Sequence, residues 1–345
     1  MRKKDERTLP EVRRYESSTG ARIYCITCLA FPGFAANIYL VLEAGPPTLI
    51  DTGSGFWDAN KQLVQGIEQV SRDFDETVKL TDIKRIVVTH GHIDHIGGLP
   101  FLHEQLPDAE IAVHELDVRI LTAYEERVAV AKKAFRRFLE QSGVEPDVLP
   151  GFMDMYGYSK TNVHSLPVTR TLVDNQQLDD LRFIHTPGHC PGQVCIALGD
   201  VLFTADHILP EISPHQAPES ITPYTGLGHY LESLDKIGRT GGYDLALGGH
   251  GKPITNLYRR ISEIRTGHRR KLDKVLATID QAPEPLTANE VSQILYDRVE
   301  GFHVLLALEE IAAHIEYLYH HGKLAIANLD EYESQENPPI RYVVA

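Results

Sequence analysis

What most constrains this chain is a pattern that recurs: an apolar, β-prone run that stops at a short turn carrying histidine or aspartate. "IKRIVVT" runs into "HGHIDHIGG", "LRFI" into "HTPGHCPG", "VLFTA" into "DHI", and "LALGG" into "HG". Short apolar runs bounded by turn residues read as buried strands. Turns at strand ends are where a rigid sheet presents functional side chains. Four such turns carry His90, His92, Asp94, His95, His189, Asp206 and His250 toward what can be one rim of a mixed α/β fold. Imidazole and carboxylate are good ligands for zinc and related divalent ions, so the pattern points to a metal centre. A single turn of this kind, in a chain with 17 histidines, could be a solvated polar loop. Four in series, each after a strand, favour the metal.

The other segments supply the frame. "RIYCITCLAF", "NIYLVLEA" and "PTLIDTG" read as strands separated by turns. Cys25 and Cys28 are three apart on the first of these, so they point to opposite faces and are expected to be buried and inert. Cys190, beside His189, is expected to be a packing residue. Residues 58–71 place Leu63, Ile67 and Val70 at helical spacing behind Asp58 as a cap. Tyr124, Val128, Ala131, Phe135 and Phe138 mark an amphipathic helix with Lys132, Lys133, Arg136 and Arg137 on its other side, followed by "GFMDMYGY", which could cover a cleft. Beyond residue 265, Thr287 can cap "ANEVSQILYDRV", a long helix follows, and "KLAIANL" and "IRYVVA" close as a hairpin. Helix, helix, helix, strand, strand resembles a winged-helix module. The expected organisation is a flexible start (1–19), a catalytic domain (20–265) with a helical insertion near the cleft (115–165), and a small winged-helix-like domain (266–345).

Charge narrows the partners. A net charge of −14 disfavours general binding to nucleic acid, which needs surplus Lys and Arg. The segment 302–345 carries Glu309, Glu310, Glu316, Asp330, Glu331, Glu333 and Glu336 against Lys323 and Arg341, a poor nucleic-acid-reading surface. It is expected to pack on the catalytic domain or to pair with a second subunit, giving a homodimer. The basic residues Lys132, Lys133, Arg136, Arg137, Arg269 and Arg270 are expected to be solvated helix faces; at a cleft mouth they could hold the phosphates of a small substrate. No apolar leader and no run near 18 apolar residues is found, so a cytoplasmic protein without membrane partners is expected.

In order along the chain, "LIDTG", T-H-G-H-I-D-H at 89–95, His189, Asp206 and His250 resemble the motifs of metallo-β-lactamase superfamily hydrolases, across roughly residues 20–265. The resemblance implies a four-layer αββα sandwich with the metals at one edge. It implies that His90, His92 and His189 hold one ion and Asp94, His95 and His250 a second, with Asp206 bridging them. Asp51 would orient the ligands from behind. Two divalent ions are implied, zinc first and iron or manganese as alternatives. A shared hydroxide, generated as the pKa of water falls toward about 7, would be the nucleophile, with Asp94 as proton shuttle.

His92 stands where flavodiiron-type relatives carry glutamate, which implies hydrolysis, and Asp206 points away from class B lactamases. The glyoxalase II-like and lactamase-β-2-like branches are the most similar. The leading expectation is hydrolysis of a thioester or related ester, like that of hydroxyacylglutathione hydrolases or acyl-CoA thioesterases. The alternatives are a metal-dependent endoribonuclease with the same ligands and a persulfide-dioxygenase-like oxidoreductase with a single iron.

Overall fold

A computed structural model describes residues 9–158 and 163–345. The part of the expected flexible start before residue 9, and residues 159–162 of the expected insertion, lie outside these ranges. The larger sheet runs in chain order: β1 (Arg13–Glu16), β2 (Arg22–Phe31), β3 (Phe34–Leu42), β4 (Thr48–Ile50), β5 (Arg85–Val87), β6 (Glu110–His114) and β7 (Arg170–Leu172). It is antiparallel from β1 to β4 and parallel from β4 to β7. The smaller sheet comprises β8 (Gln177–Leu178), β9 (Leu181–His185), β10 (Val194–Leu198), β11 (Val201–Ala205) and β12 (Leu245–Gly248), in the order β12-β11-β10-β9-β8. The distant strand β13 (Leu324–Ile326) pairs antiparallel with β14 (Tyr342–Val344).

The helices are α1 (Ala59–Asp73), α2 (Ile93–Ile96), α3 (Leu99–Gln105), α4 (Val118–Thr122), α5 (Tyr124–Gln141), α6 (Leu149–Tyr158), α7 (Leu227–Arg239), α8 (Leu257–Asp280), α9 (Ala288–Leu295), α10 (Phe302–His320) and α11 (Leu329–Ser334). Three cores stack them into four layers. Ile23, Cys25, Tyr39 and Val41 meet Phe183, Ile196 and Phe203 between the two sheets. The outer face of the larger sheet, with Tyr24, Ile26 and Cys28, packs on Leu63, Ile67 and Val70 of α1 and on Leu99 and Leu102 of α3. Ile184, Cys195 and Leu202 of the smaller sheet pack on Leu227, Leu234 and Ile237 of α7 and on Ile261 and Ile264 of α8. Each such Leu or Ile contributes roughly 1.5–3 kcal/mol by leaving water. Cys25 and Cys28 fall in different cores because strand geometry sends residues three apart to opposite faces.

A fourth core joins Phe135, Phe138 and Leu139 of α5 and Phe152 of α6 to Val275 of α8, Val291 of α9 and Leu305, Leu308 and Ile311 of α10. Phe152 and Tyr156 of the aromatic run expected to cover a cleft pack into this core, with Tyr156 stacked on Phe135 at 4.6 Å. The boundary expected between 265 and 266 falls inside α8, a continuous helix that packs on the smaller sheet at one end and on α9 and α10 at the other. Within the start expected to be flexible, residues 13–16 form β1, an edge strand whose burial alternates and whose Arg13 guanidinium donates to Cys25 Sγ at 3.3 Å. "RRYE" carries one apolar side chain, so its pairing comes from the backbone and not from a legible hydrophobic pattern. Thr287 caps α9 as expected, in a reciprocal box with Glu290. Asp58 precedes α1, but its side chain caps nothing. No helix among the described residues is long and apolar enough to cross a membrane.

Candidate metal centre

The strand ends deliver the predicted side chains to one edge of the sandwich. β4 leads into Asp51, β5 into His90 and His92, β9 into His189, β11 into Asp206, and β12 into His250, while Asp94 and His95 open α2. The last approach is bent: the pairing of β11 with β12 slips between Phe203 and Ala205, and Ala205 has φ +44°, which turns Asp206 inward. Asp51 is also left-handed, at φ +64°. Gly249 leaves room for the inner groups, since a Cβ there would fall onto Asp206 Oδ1 and the His95 ring.

Two groups of potential ligand atoms result, each within 4.8 Å of one another: His90, His92, His189 and Cys190, and Asp94, His95, Asp206 and His250. Asp206 lies between them. Its Oδ1 is 3.5 Å from His95 Nε2, and its Oδ2 is 3.1 Å from His250 Nε2 and 3.8 Å from His189 Nε2. Asp94 Oδ2 is 3.3 Å from His250 Nε2 and 3.8 Å from His95 Nε2.

Hydrogen bonds behind the rings fix which nitrogen faces inward. Asp51 accepts from the Thr89 amide at 2.8 Å, from the Thr89 hydroxyl at 2.8 Å and from His95 Nδ1 at 2.8 Å. Because the Thr89 hydroxyl donates to Asp51, its oxygen accepts from His90 Nδ1, at 3.1 Å. His189 Nδ1 donates to the His215 carbonyl at 2.8 Å, and His250 Nδ1 to the Ala35 carbonyl at 2.7 Å. Four rings are thus held through Nδ1 with Nε2 turned into the site, the arrangement outer partners impose on metal-binding histidines.

These residues fit divalent ions. His95 Nε2, His189 Nε2 and Asp206 Oδ1 are buried with no hydrogen-bond partner, which is costly for polar atoms unless something electropositive meets them. Two ligands at about 2.0–2.1 Å from a tetrahedral ion stand about 3.3 Å apart, and His90 Nε2 and His92 Nδ1 are 3.2 Å apart. Electrostatics agree. Burial holds the His90 ring well below the ordinary histidine range, helped by His95 and His92, so it is a neutral donor. Burial opposes ionisation of Asp94 and Asp206, but His95 and His250 hold both carboxyls below their usual range. The His and Asp clusters are therefore compatible with a dinuclear site.

Cys190 departs from the expected packing role. Its Sγ is 3.3 Å from His92 Nε2, so it belongs to the surroundings of the first group. Two further residues escaped sequence reading. Asp117, buried at the start of α4, accepts from the Gly192 amide at 2.9 Å, tying α4 to the loop that carries His189. Burial pushes its carboxyl up to about 7 against the pull of the Gly192 amide. A Cβ on Gly192 would collide with it. The only sequence signal for Asp117 is an acid just past a strand end. His215, whose carbonyl holds His189, gives no signal, because a backbone atom acts.

The basic residues stand apart. Lys132, Lys133, Arg136 and Arg137 are exposed on α5, with Arg136 paired to Glu140 at 3.0 Å. Arg269 and Arg270 are exposed on α8. Arg269 lines a cleft of about 880 Å³ between α7, α8 and α10, whose lining includes none of the seven candidate ligands.

Known proteins agree with this architecture. The model of the metallo-beta-lactamase superfamily matches residues 31–277. A protein named probable metallo-hydrolase YqjP, from Bacillus subtilis (strain 168), is 24% identical over 296 residues, covering 81% of this chain and 86% of its own. An atrochrysone carboxyl ACP thioesterase from Aspergillus chevalieri is 23% identical over 301 residues, covering 84% of this chain and 77% of its own. The crystal structure of a metallo-beta-lactamase family protein from Thermus thermophilus superposes with a TM-score of 0.74 at 27% identity, over 94% of this chain and 98% of that one.

Proposed function

The chain belongs to the metallo-β-lactamase superfamily and is a metal-dependent hydrolase, and from that premise we propose that it hydrolyses acyl thioesters at a dinuclear centre. The observation that carries the dinuclear reading is the position of Asp206, whose Oδ2 approaches one histidine of each group, His250 and His189. His90, His92 and His189 would hold one ion, Asp94, His95 and His250 the other, and Asp206 both. Two such divalent ions, when bound, supply Lewis acidity and bring the pKa of water toward about 7.

The remaining work falls to the chain itself. Asp51 and Thr89 keep the His90 and His95 rings oriented. His95 and His250 hold the Asp94 carboxyl ionised, so this carboxylate is the group to take up and pass on a proton. Water adds to the acyl carbon, the C–S bond breaks, and a carboxylate and a thiol result with one proton released. A thiol has an ordinary pKa of about 8.5, so it leaves as an anion with little help and one carboxylate suffices. An alkoxide leaving from RNA is far more basic and calls for a stronger acid. The similarity to a thioesterase supports the same substrate class.

The test is an assay of the purified, metal-quantified protein for thiol release from acyl thioesters and for cleavage of single-stranded RNA, with Asp206→Ala as control. Thiol release that disappears in the control is expected. RNA cleavage without thiol release would overturn the reading in favour of the nuclease.

A further inference from the structure

The connection from Asp206 to Gly226 contains no helix or strand, yet it carries the carbonyl that orients His189. A chain without its own ladder must find partners for its amides elsewhere. Here they come from α10, far along the sequence. The Gln216 amide donates to Glu310 Oε2 at 2.9 Å, and the Glu219 and Ser220 amides donate to the two oxygens of Glu316 at 2.6 and 3.0 Å. The His215 ring donates through Nε2 to Glu309 Oε2 at 2.7 Å. Lys271 on α8 anchors Glu310 in turn, at 2.6 Å from Oε1.

We propose that α10 is part of the metal centre: Glu309, Glu310 and Glu316 clamp the 215–220 loop so that the His215 carbonyl holds His189 in its ligating orientation. They are positioning residues, and the acidity of this helix serves the loop. The proposal rests on the ligand role of His189 given above, but not on the substrate. Glu310 also forms, with His268 and His314, a group that could hold a metal. The Lys271 ammonium already neutralises Glu310 there, 2.6 Å from its Oε1. The geometry is that of a hydrogen-bonded support for the clamp, not of a third ion.

A thermodynamic cycle on the full-length protein tests this. Metal affinity is measured by competition of Co²⁺ with a chelator, alongside the Co²⁺ absorption spectrum, for the parent protein, Glu309→Ala, His189→Ala and the double variant. Loss of an outer partner costs about 10–100-fold in metal affinity, so Glu309→Ala should weaken one ion by about tenfold and shift its absorption bands. In the His189→Ala background the same change should have no further effect. Glu309→Gln, which still accepts from His215, should restore most of the affinity, and Glu331→Ala on exposed α11 should leave it unchanged. Equal losses from Glu309→Ala in both backgrounds, or no loss in the parent, would overturn the clamp. An unaffected metal affinity in His189→Ala would instead refute the ligand reading beneath it. Failure to turn over thioesters would leave the cycle intact.

Discussion

The two halves of the centre share one sheet edge but are built from different chemistry. His90, His92 and His189, with Cys190 beside them, offer imidazole and sulfur. Asp94, Asp206, His95 and His250 include two carboxylates, and Asp51 places a third directly behind His95. The same burial has opposite outcomes. It drives His90 and His189 toward the neutral form, whereas in the other half Asp206 and Asp94 overcome it and push His250 up to about 10. One half is a set of neutral donors suited to zinc; the other demands positive charge and should accept harder ions. Asp206 stands between them, its Oδ2 3.1 Å from His250 Nε2 and 3.8 Å from His189 Nε2.

Breaking that link should have the largest effect. In Asp206→Ala, thiol release should fall by more than the ~100-fold that outer partners can account for, and metal content by elemental analysis should drop below two ions per chain. Retained activity would mean that the halves work independently. A smaller effect is expected where only the acidic half is touched from behind. Asp51→Asn keeps the shape of the side chain but removes the charge behind His95, and should weaken metal binding by about 10–100-fold, read by chelator competition. The smallest change is expected at the edge of the neutral half. Cys190→Ser should move the Co²⁺ bands of the histidine-bound ion while altering affinity only a few-fold; a loss as large as that of a histidine variant would make the thiol a ligand in its own right.

The same contrast governs what could be read from the sequence. The seven candidate ligands were legible because each follows an apolar strand, and strand ends in this fold lie on one rim. Asp51 was legible through the resemblance of "LIDTG" to the family motif, the helices α1 and α5 through their spacing, and α9 through its cap. What stayed hidden acts through the backbone or over long separations. Asp117 works on the amide of Gly192, and His215 works through its carbonyl. Glu309, Glu310 and Glu316 were visible only as net negative charge, because nothing local ties α10 to the loop it grips. Cys190 looked like packing because its neighbour in space, His92, lies in a different turn.

The most direct measurement of the central claim is the anomalous-scattering structure of the metal-loaded protein. Two ions per chain are predicted, one bound by His90, His92 and His189, the other by Asp94, His95 and His250, with Asp206 touching both. A single ion, with Asp94 and His250 left out of its coordination, would contradict the dinuclear account and favour the mononuclear oxidoreductase.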